Sequence, residues 1–342
     1  MSRLSLLAAL ILVAACGDAL DGAGEPDAPD APDAAPPPPA GLTRWLVGDP
    51  ADAIATPRAG LILMGGGPDV DAAFGWQRDR IDGGDVVVLR ASGADGYNDY
   101  LFTDVGGIDS VETMIVDTAD LAAEPYVRWQ LDHAEAIFLA GGDQAVYLAA
   151  WKDGPVEDAL AGAWARGAVV GGTSAGCAVL GEVVYRATTG SVYSDEALAD
   201  PYDPYVTLDR GFLALPPLVG IVTDTHFGAR DRMGRLLAFV ARAYADGWAT
   251  SPVGLGVDEG TALVIDEAGT GTVVGAGAVY AIIPTAPPTA CTPGAPLTWS
   301  AVPVHALHAG DTITLITLPA VTDVPATNVS AAGGALTPSD PY

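Results

Sequence analysis

Four times between residues 59 and 176 the chain runs through an apolar stretch that stops at glycine. The stretches are "AGLILMGGG" (59–67), "GDVVVLRASG" (84–93), "AEAIFLAGGDQ" (134–144) and "GAVVGGTSAG" (167–176). Apolar runs without polar alternation require strands buried on both faces, as in a parallel sheet covered by helices. "VETMIVDT" (111–118) is a further strand candidate, and helical patterns fall at 124–133, 145–152 and 156–166. This alternation predicts an α/β fold, a layered and mainly parallel sheet flanked by helices. Further along come a strand candidate "LVGIVTDTHF" (218–227), a helical pattern over 230–247, and β-like runs at 253–269, 271–284 and 311–318. They predict β-rich additions near the C-terminus. One domain over 42–318 is simpler than two, and residues 319–342, rich in Ala, Pro, Ser and Asp, read as a low-complexity tail.

The N-terminus reads differently. Arg3 precedes "LSLLAALILVAAC", an apolar run that ends in small residues at Cys16. It reads as a secretory signal peptide over 1–15 whose "LVAAC" end resembles the lipobox of bacterial lipoproteins, with Cys16 as the lipidated residue. The competing readings are an ordinary cleaved signal peptide and an uncleaved membrane helix, for which the run is short. Residues 16–41, Pro-, Ala- and Asp-rich with a single leucine after Cys16, cannot bury enough surface to fold and read as a tether. The expected location is extracytoplasmic, as a bacterial lipoprotein on the cell membrane or outer membrane. With 43 acidic against 15 basic side chains and a net charge of −28, phosphate would be repelled, which argues against nucleic-acid partners. Cys177 and Cys291 are the other cysteines. They leave a disulfide open and form no zinc-ligand set.

In α/β folds the chemistry gathers where strand ends meet loops. "MGGG" lacks the spacing of a dinucleotide motif and reads as a close turn after a strand. "GGTSAG" satisfies Gly-x-Ser-x-Gly at 172–176, with little side-chain bulk around Ser174. A sharp strand-to-helix turn of this kind exposes a nucleophilic oxygen and leaves backbone N–H groups free to stabilise an oxyanion. Serine needs a base, and the base needs orientation. Of the four histidines, His226 stands out because "TDTHF" closes a strand candidate, and Asp258 and Glu259 in "GLGVDEG" follow another. His305, His308 and Asp311 make only a weak case for a metal.

In their order and spacing, "GGG" (65–67), "AGGDQ" (140–144), "GGTSAG" (171–176), "DTHFGARDRMGRL" (224–236) and "GLGVDEGTA" (254–262) together resemble the cyanophycinase family of serine peptidases. That family's fold is related to class I glutamine amidotransferases; no cofactor and no metal are expected for this chain. The resemblance implies Ser174 as nucleophile, His226 as general base and then acid, and Glu259 in preference to Asp258 as the residue orienting His226. Gly142 and Ala175 are the oxyanion candidates. Gln144, Asp224, Thr225, Arg230, Arg232 and Arg235 are the substrate-binding candidates, Asp224 for a cationic group and the arginines for carboxylates. The implied partner is a peptide, or cyanophycin, an aspartate polymer carrying arginine on side-chain amides, cut to β-Asp-Arg dipeptides. Thr225 departs from the family pattern, which often has glutamine there, and leaves room for other aspartyl or isoaspartyl peptides, including α-aspartyl dipeptides. The membrane, through the lipid, is a second partner, and a homodimer stays open. The alternatives are an inactive, surface-anchored binding protein on the same scaffold and, more remotely, a cysteine enzyme using Cys177.

Overall fold

The computed structural model describes residues 35–316 and 319–342. The stretch read as a signal peptide, Cys16 and the tether as far as residue 34 lie outside the described residues. Residues 36–342 form one unit. It holds two sheets, of nine and eight strands.

The first sheet has the order Thr43–Gly48, Ser110–Ile115, Val86–Arg90, Ala136–Leu139, Val169–Thr173, Gly60–Met64, Thr261–Asp266, Thr270–Gly275 and Thr312–Thr314. The middle of it, from Ser110–Ile115 to Gly60–Met64, is parallel throughout. The strand on one flank and the three on the other are antiparallel. These parallel strands are the apolar runs of the sequence, and the reason is visible in their packing. Leu61 and Leu63 join one buried cluster while Ile62 and Met64 join another on the opposite face, with Phe74 and Phe138. Neither face has room for a polar alternation.

The helices follow from equally local causes. In Pro155–Arg166 the buried residues Val156, Ala159, Leu160 and Ala163 recur at helical spacing. Pro155 occupies the first turn, where its missing N–H has no intrahelical partner to lose. Glu157 and Asp158 near the start and Arg166 near the end match the helix dipole.

The second sheet has the order Ala335–Thr337, Thr327–Ala332, Trp299–Leu307, Val279–Ile282, Val253–Val257, Ile221–Asp224, Val183–Tyr185 and Leu208–Arg210. Ile221–Asp224 runs parallel to both of its neighbours, and the other pairings are antiparallel. Leu255 and Val279 of this sheet share a cluster with Leu61 and Leu63 of the first, so one core spans both. On its other face the helix Met233–Ala245 buries Leu236, Phe239 and Val240 against Val222 and Ile282.

Residues 319–342 correct the reading of that stretch as a low-complexity tail. Thr327–Ala332 and Ala335–Thr337 form a hairpin around Gly333-Gly334 and extend the second sheet. Two small apolar side chains, Val329 and Ala331, are enough to dock it, because they pack in a cluster with Trp299 and Val302. Composition masked a two-residue turn flanked by alternating apolar residues.

Candidate active site

Three strand ends meet at the site. Ser174 follows Val169–Thr173 and precedes the short helix Ala175–Ala178. His226 lies two residues beyond Ile221–Asp224 in the second sheet, and Glu259 lies in the turn from Val253–Val257 to Thr261–Asp266, where the chain passes from one sheet to the other. Ser174 Oγ stands 2.7 Å from His226 Nε2, and His226 Nδ1 stands 2.6 Å from Glu259 Oε1.

The main chain of residues 64–66 sets this arrangement. The Met64 carbonyl accepts from Ser174 N at 3.1 Å, the Gly65 carbonyl from His226 N at 2.8 Å, and the Gly66 carbonyl from Gly260 N at 2.9 Å. Three successive carbonyls thus fix the three segments that carry the triad. "GGG" is more than a close turn: a Cβ on Gly66 would lie 2.5 Å from His226 Cε1, so only glycine lets the ring sit there. Gly176 is equally constrained, since a Cβ would fall 1.9 Å from the Leu139 carbonyl oxygen. Ser174 itself has φ 51° and ψ −117°, and His226 has φ 48°. Such left-handed conformations cost on the order of 1–3 kcal/mol each and persist where the surroundings enforce them.

The electrostatics suit a neutral base. Burial pushes the His226 imidazole below its ordinary pKa, the Glu259 hydrogen bond opposes this, and the charges of Arg230 and Arg232 add to the lowering. The hydrogen bond from His226 holds the Glu259 carboxyl below the usual range, so it is ionised at neutral pH. Asp258 is occupied elsewhere, accepting from Gly228 N at 2.8 Å and Ala278 N at 3.1 Å, and it ties down the turn after His226. Ala175 N–H sits at the start of a helix, where it has no intrahelical acceptor. Gly142 is exposed beside Gly141, whose missing Cβ would stand 3.5 Å from Ser174 Cβ.

The substrate-binding candidates divide. Asp224 does not wait for a cationic substrate: its carboxylate is 3% exposed and takes Arg235 Nη2 at 2.6 Å and Nε at 2.7 Å. Burial pushes its pKa up, and the charge and hydrogen bonds of Arg235, the charge of Arg232 and the Thr225 N–H together more than offset this and leave it below the ordinary value. Arg235 is in turn consumed by this pair, by Ser191 Oγ and by the faces of Tyr185 and Phe239. Thr225 is buried, and its backbone carbonyl accepts from Arg232 Nη1 at 2.6 Å. The roles expected for Asp224, Thr225 and Arg235 toward substrate are therefore replaced by internal ones. Gln144 is half-buried and donates to the Tyr185 carbonyl at 3.3 Å. Arg232 keeps one edge on a cavity of about 180 Å³, and burial lowers its pKa to about 10. Arg230 lines the same cavity and is exposed; its backbone N–H donates to the His226 carbonyl at 3.1 Å, and its guanidinium has no hydrogen-bond or ion-pair partner among the described residues.

The remaining candidates are accounted for locally. His305 Nδ1 lies 2.8 Å from the Val324 carbonyl, and Asp311 accepts from His308 N. Cys177 and Cys291 are free and belong to different core clusters. Burial pushes the Cys177 thiol well above its ordinary pKa, which disfavours the thiolate a cysteine nucleophile needs.

Residues 107–273, which include Ser174, His226 and Glu259, match the model of Peptidase family S51. The chain is 34% identical over 190 residues to a cyanophycinase of Synechococcus elongatus, covering 55% of this chain and 53% of that protein. Over these residues the chain is similar to the cyanophycinase-like serine peptidases. A second relative, the cyanophycinase of Trichormus variabilis, is 31% identical over 180 residues, 52% of this chain and 55% of that protein. The chain spans about half the length of these relatives. Among solved structures, a peptidase from an acI-B1 Actinobacterium aligns with a TM-score of 0.49 and 18% identity, over 76% of this chain and 98% of that one. The "GGG" turn and the hairpin of residues 327–337 lie outside the family match.

Proposed function

We propose that this chain hydrolyses aspartyl or isoaspartyl peptides by acyl transfer to Ser174. The continuous path from Ser174 Oγ through His226 to Glu259, at 2.7 and 2.6 Å, carries the proposal. His226 Nε2 takes the Ser174 proton as Oγ bonds to the amide carbon. The N–H groups of Ala175 and Gly142 are the donors available to the resulting oxyanion. The proton then passes to the leaving amine as the C–N bond breaks. Water, deprotonated by the same imidazole, releases the acid and restores Ser174. Glu259 keeps Nδ1 protonated, so Nε2 stays the acceptor.

The proposed substrate carries a free carboxylate on the residue that donates the acyl group, held by Arg230 and Arg232. Both linkage isomers of aspartate have one. Because Asp224 is committed to Arg235, recognition of a cationic leaving residue has lost its candidate. In a cyanophycin chain both carboxyls of the acyl-donating aspartate are in amide linkage, so the polymer lacks the free carboxylate and short aspartyl and isoaspartyl peptides are the proposed substrates. The purified protein should therefore cleave β-Asp-Arg, β-Asp-Lys and β-Asp-Leu at similar rates. Amidating the free aspartyl carboxylate should cost roughly ten- to hundred-fold, the scale of a lost charge-assisted hydrogen bond. Mass spectrometry of products from these peptides, α-Asp-Arg and cyanophycin would locate the cut. Indifference to amidation would sink the carboxylate reading, and saturable binding without turnover would return the protein to the binding class.

The location is part of the same proposal. Cys16, after the "LVAAC" run, is taken to carry lipid, with residues 17–41 as the tether to the folded body. Native material should then have an intact mass that starts at an acylated Cys16, and Cys16→Ser should free the body from membranes. A mature protein that retains residues 1–15 would overturn this.

A further inference from the structure

The loop that follows His226 bears the two arginines just assigned to the substrate; the carbonyls of His226, Phe227 and Gly228 close its short turn by accepting from Arg230, Arg232 and Asp231 N, and its far end meets the next helix. Asp231 sits in the left-handed region, at φ 48° and ψ 57°. The helix Met233–Ala245 begins directly after Arg232, whose side chain makes no cap hydrogen bond. Its first N–H groups therefore need acceptors from elsewhere.

Two side chains distant in sequence provide them. Ser194 Oγ accepts from Arg235 N at 3.2 Å and donates to the Asp231 carbonyl at 2.5 Å. Tyr342 Oη accepts from Met233 N and donates to Asp231 Oδ1, both at 2.9 Å. The phenol uses both its capacities, one on the helix start and one on the left-handed residue before it. Its ring is held in turn, edge-on to Phe227 at 5.9 Å and to Tyr280 at 5.5 Å between centroids. Burial raises the phenol pKa, so the hydroxyl stays protonated and keeps its donor. Tyr342 lies outside the family match and belongs to the stretch whose hairpin extends the second sheet.

We infer that Tyr342 is a positioning residue for substrate binding: its hydroxyl clamps Asp231 and Met233, and so holds Arg230 and Arg232 toward the cavity that they line with residues 191–194. The inference rests on the reading of those arginines as the carboxylate site. Tyr342 touches no reacting atom, and its effect falls on binding rather than on the bond-breaking step.

Tyr342→Phe separates the clamp from packing, because the ring and both ring contacts remain. In the full chain it should raise KM for an aspartyl peptide about three- to ten-fold while kcat stays within about two-fold, the pattern of lost uniform binding. Amide hydrogen exchange over residues 230–235 should quicken at the same time. Tyr342→Ala should move both readouts further. Val329→Ala, in the same added hairpin and fully buried, is the comparison, expected to lower Tm with KM and exchange at 230–235 unchanged. Wild-type KM or wild-type exchange in Tyr342→Phe would overturn the inference. So would a Val329→Ala variant that shifts both as strongly. If the wild-type protein cleaves none of the peptides, the proposed function falls, and the exchange comparison alone decides whether Tyr342 holds the loop.

Discussion

Ser174→Ala should yield a folded protein with turnover reduced by about a million-fold, the scale on which removal of a serine nucleophile acts elsewhere. The substitution removes one oxygen. Ser174 makes no side-chain cap hydrogen bond to the helix it precedes, so little structure depends on Oγ. The backbone bond from Ser174 N to the Met64 carbonyl survives the change. Thermal melting should therefore stay close to wild type while kcat collapses. His226→Ala should be comparably severe, and Glu259→Gln less so, because an amide oxygen can still accept from Nδ1. Cys177→Ala should leave turnover intact, since that thiol is fully buried beneath the turn. A well-folded Ser174→Ala protein with near-normal turnover would reject the mechanism.

The second large effect is on stability. Asp224→Ala should destabilise the fold by about 3–5 kcal/mol, because it strands the Arg235 guanidinium in the interior. Both side chains of this pair are only 4% exposed. Arg235 would retain Ser191 Oγ, the Val192 carbonyl and two aromatic faces, none of which is an anion. Denaturant unfolding of Asp224→Ala and of an Asp224→Leu, Arg235→Met double variant makes the test. The double variant should recover most of the loss, because it removes both charges together. An Asp224→Ala protein that unfolds at the wild-type midpoint would show that the pair contributes nothing. The pH dependence has a definite sign. The folded pKa of Asp224 is depressed, so its contribution is complete above the unfolded value and is lost as pH falls through the folded one, below the ordinary aspartate range.

The central sheet was legible because strands buried on both faces leave continuous apolar runs, and residues 60–64 and 169–173 are of that kind. Ser174, His226 and Glu259, which the structure joins in one hydrogen-bonded row, stood out because each sits where such a run breaks at a tight turn. What escaped has physical causes. Thr43–Gly48 is half-exposed along most of its length, so its pattern carries little hydrophobic signal. Asp224 and Arg235 are eleven positions apart, on a strand and a helix, and their pairing exists only in the packed structure. The same holds for the carbonyls of residues 64–66, since a main-chain acceptor has no letter in a sequence. Residues 327–337 were hidden by composition, although the Gly-Gly turn was there to be read.

The two halves of the site are held by different materials. Ser174, His226 and Gly260 hang from main-chain carbonyls, which no substitution removes without breaking the strand. The loop with Arg230 and Arg232 has backbone bonds of its own, but its junction with the following helix is pinned by two hydroxyls, those of Ser194 and Tyr342, and either can be lost by a single base change. Under selection for new peptides, recognition can therefore drift while the hydrolytic chemistry stays fixed. A lineage built on this frame would be expected to diversify in diet long before it changed reaction.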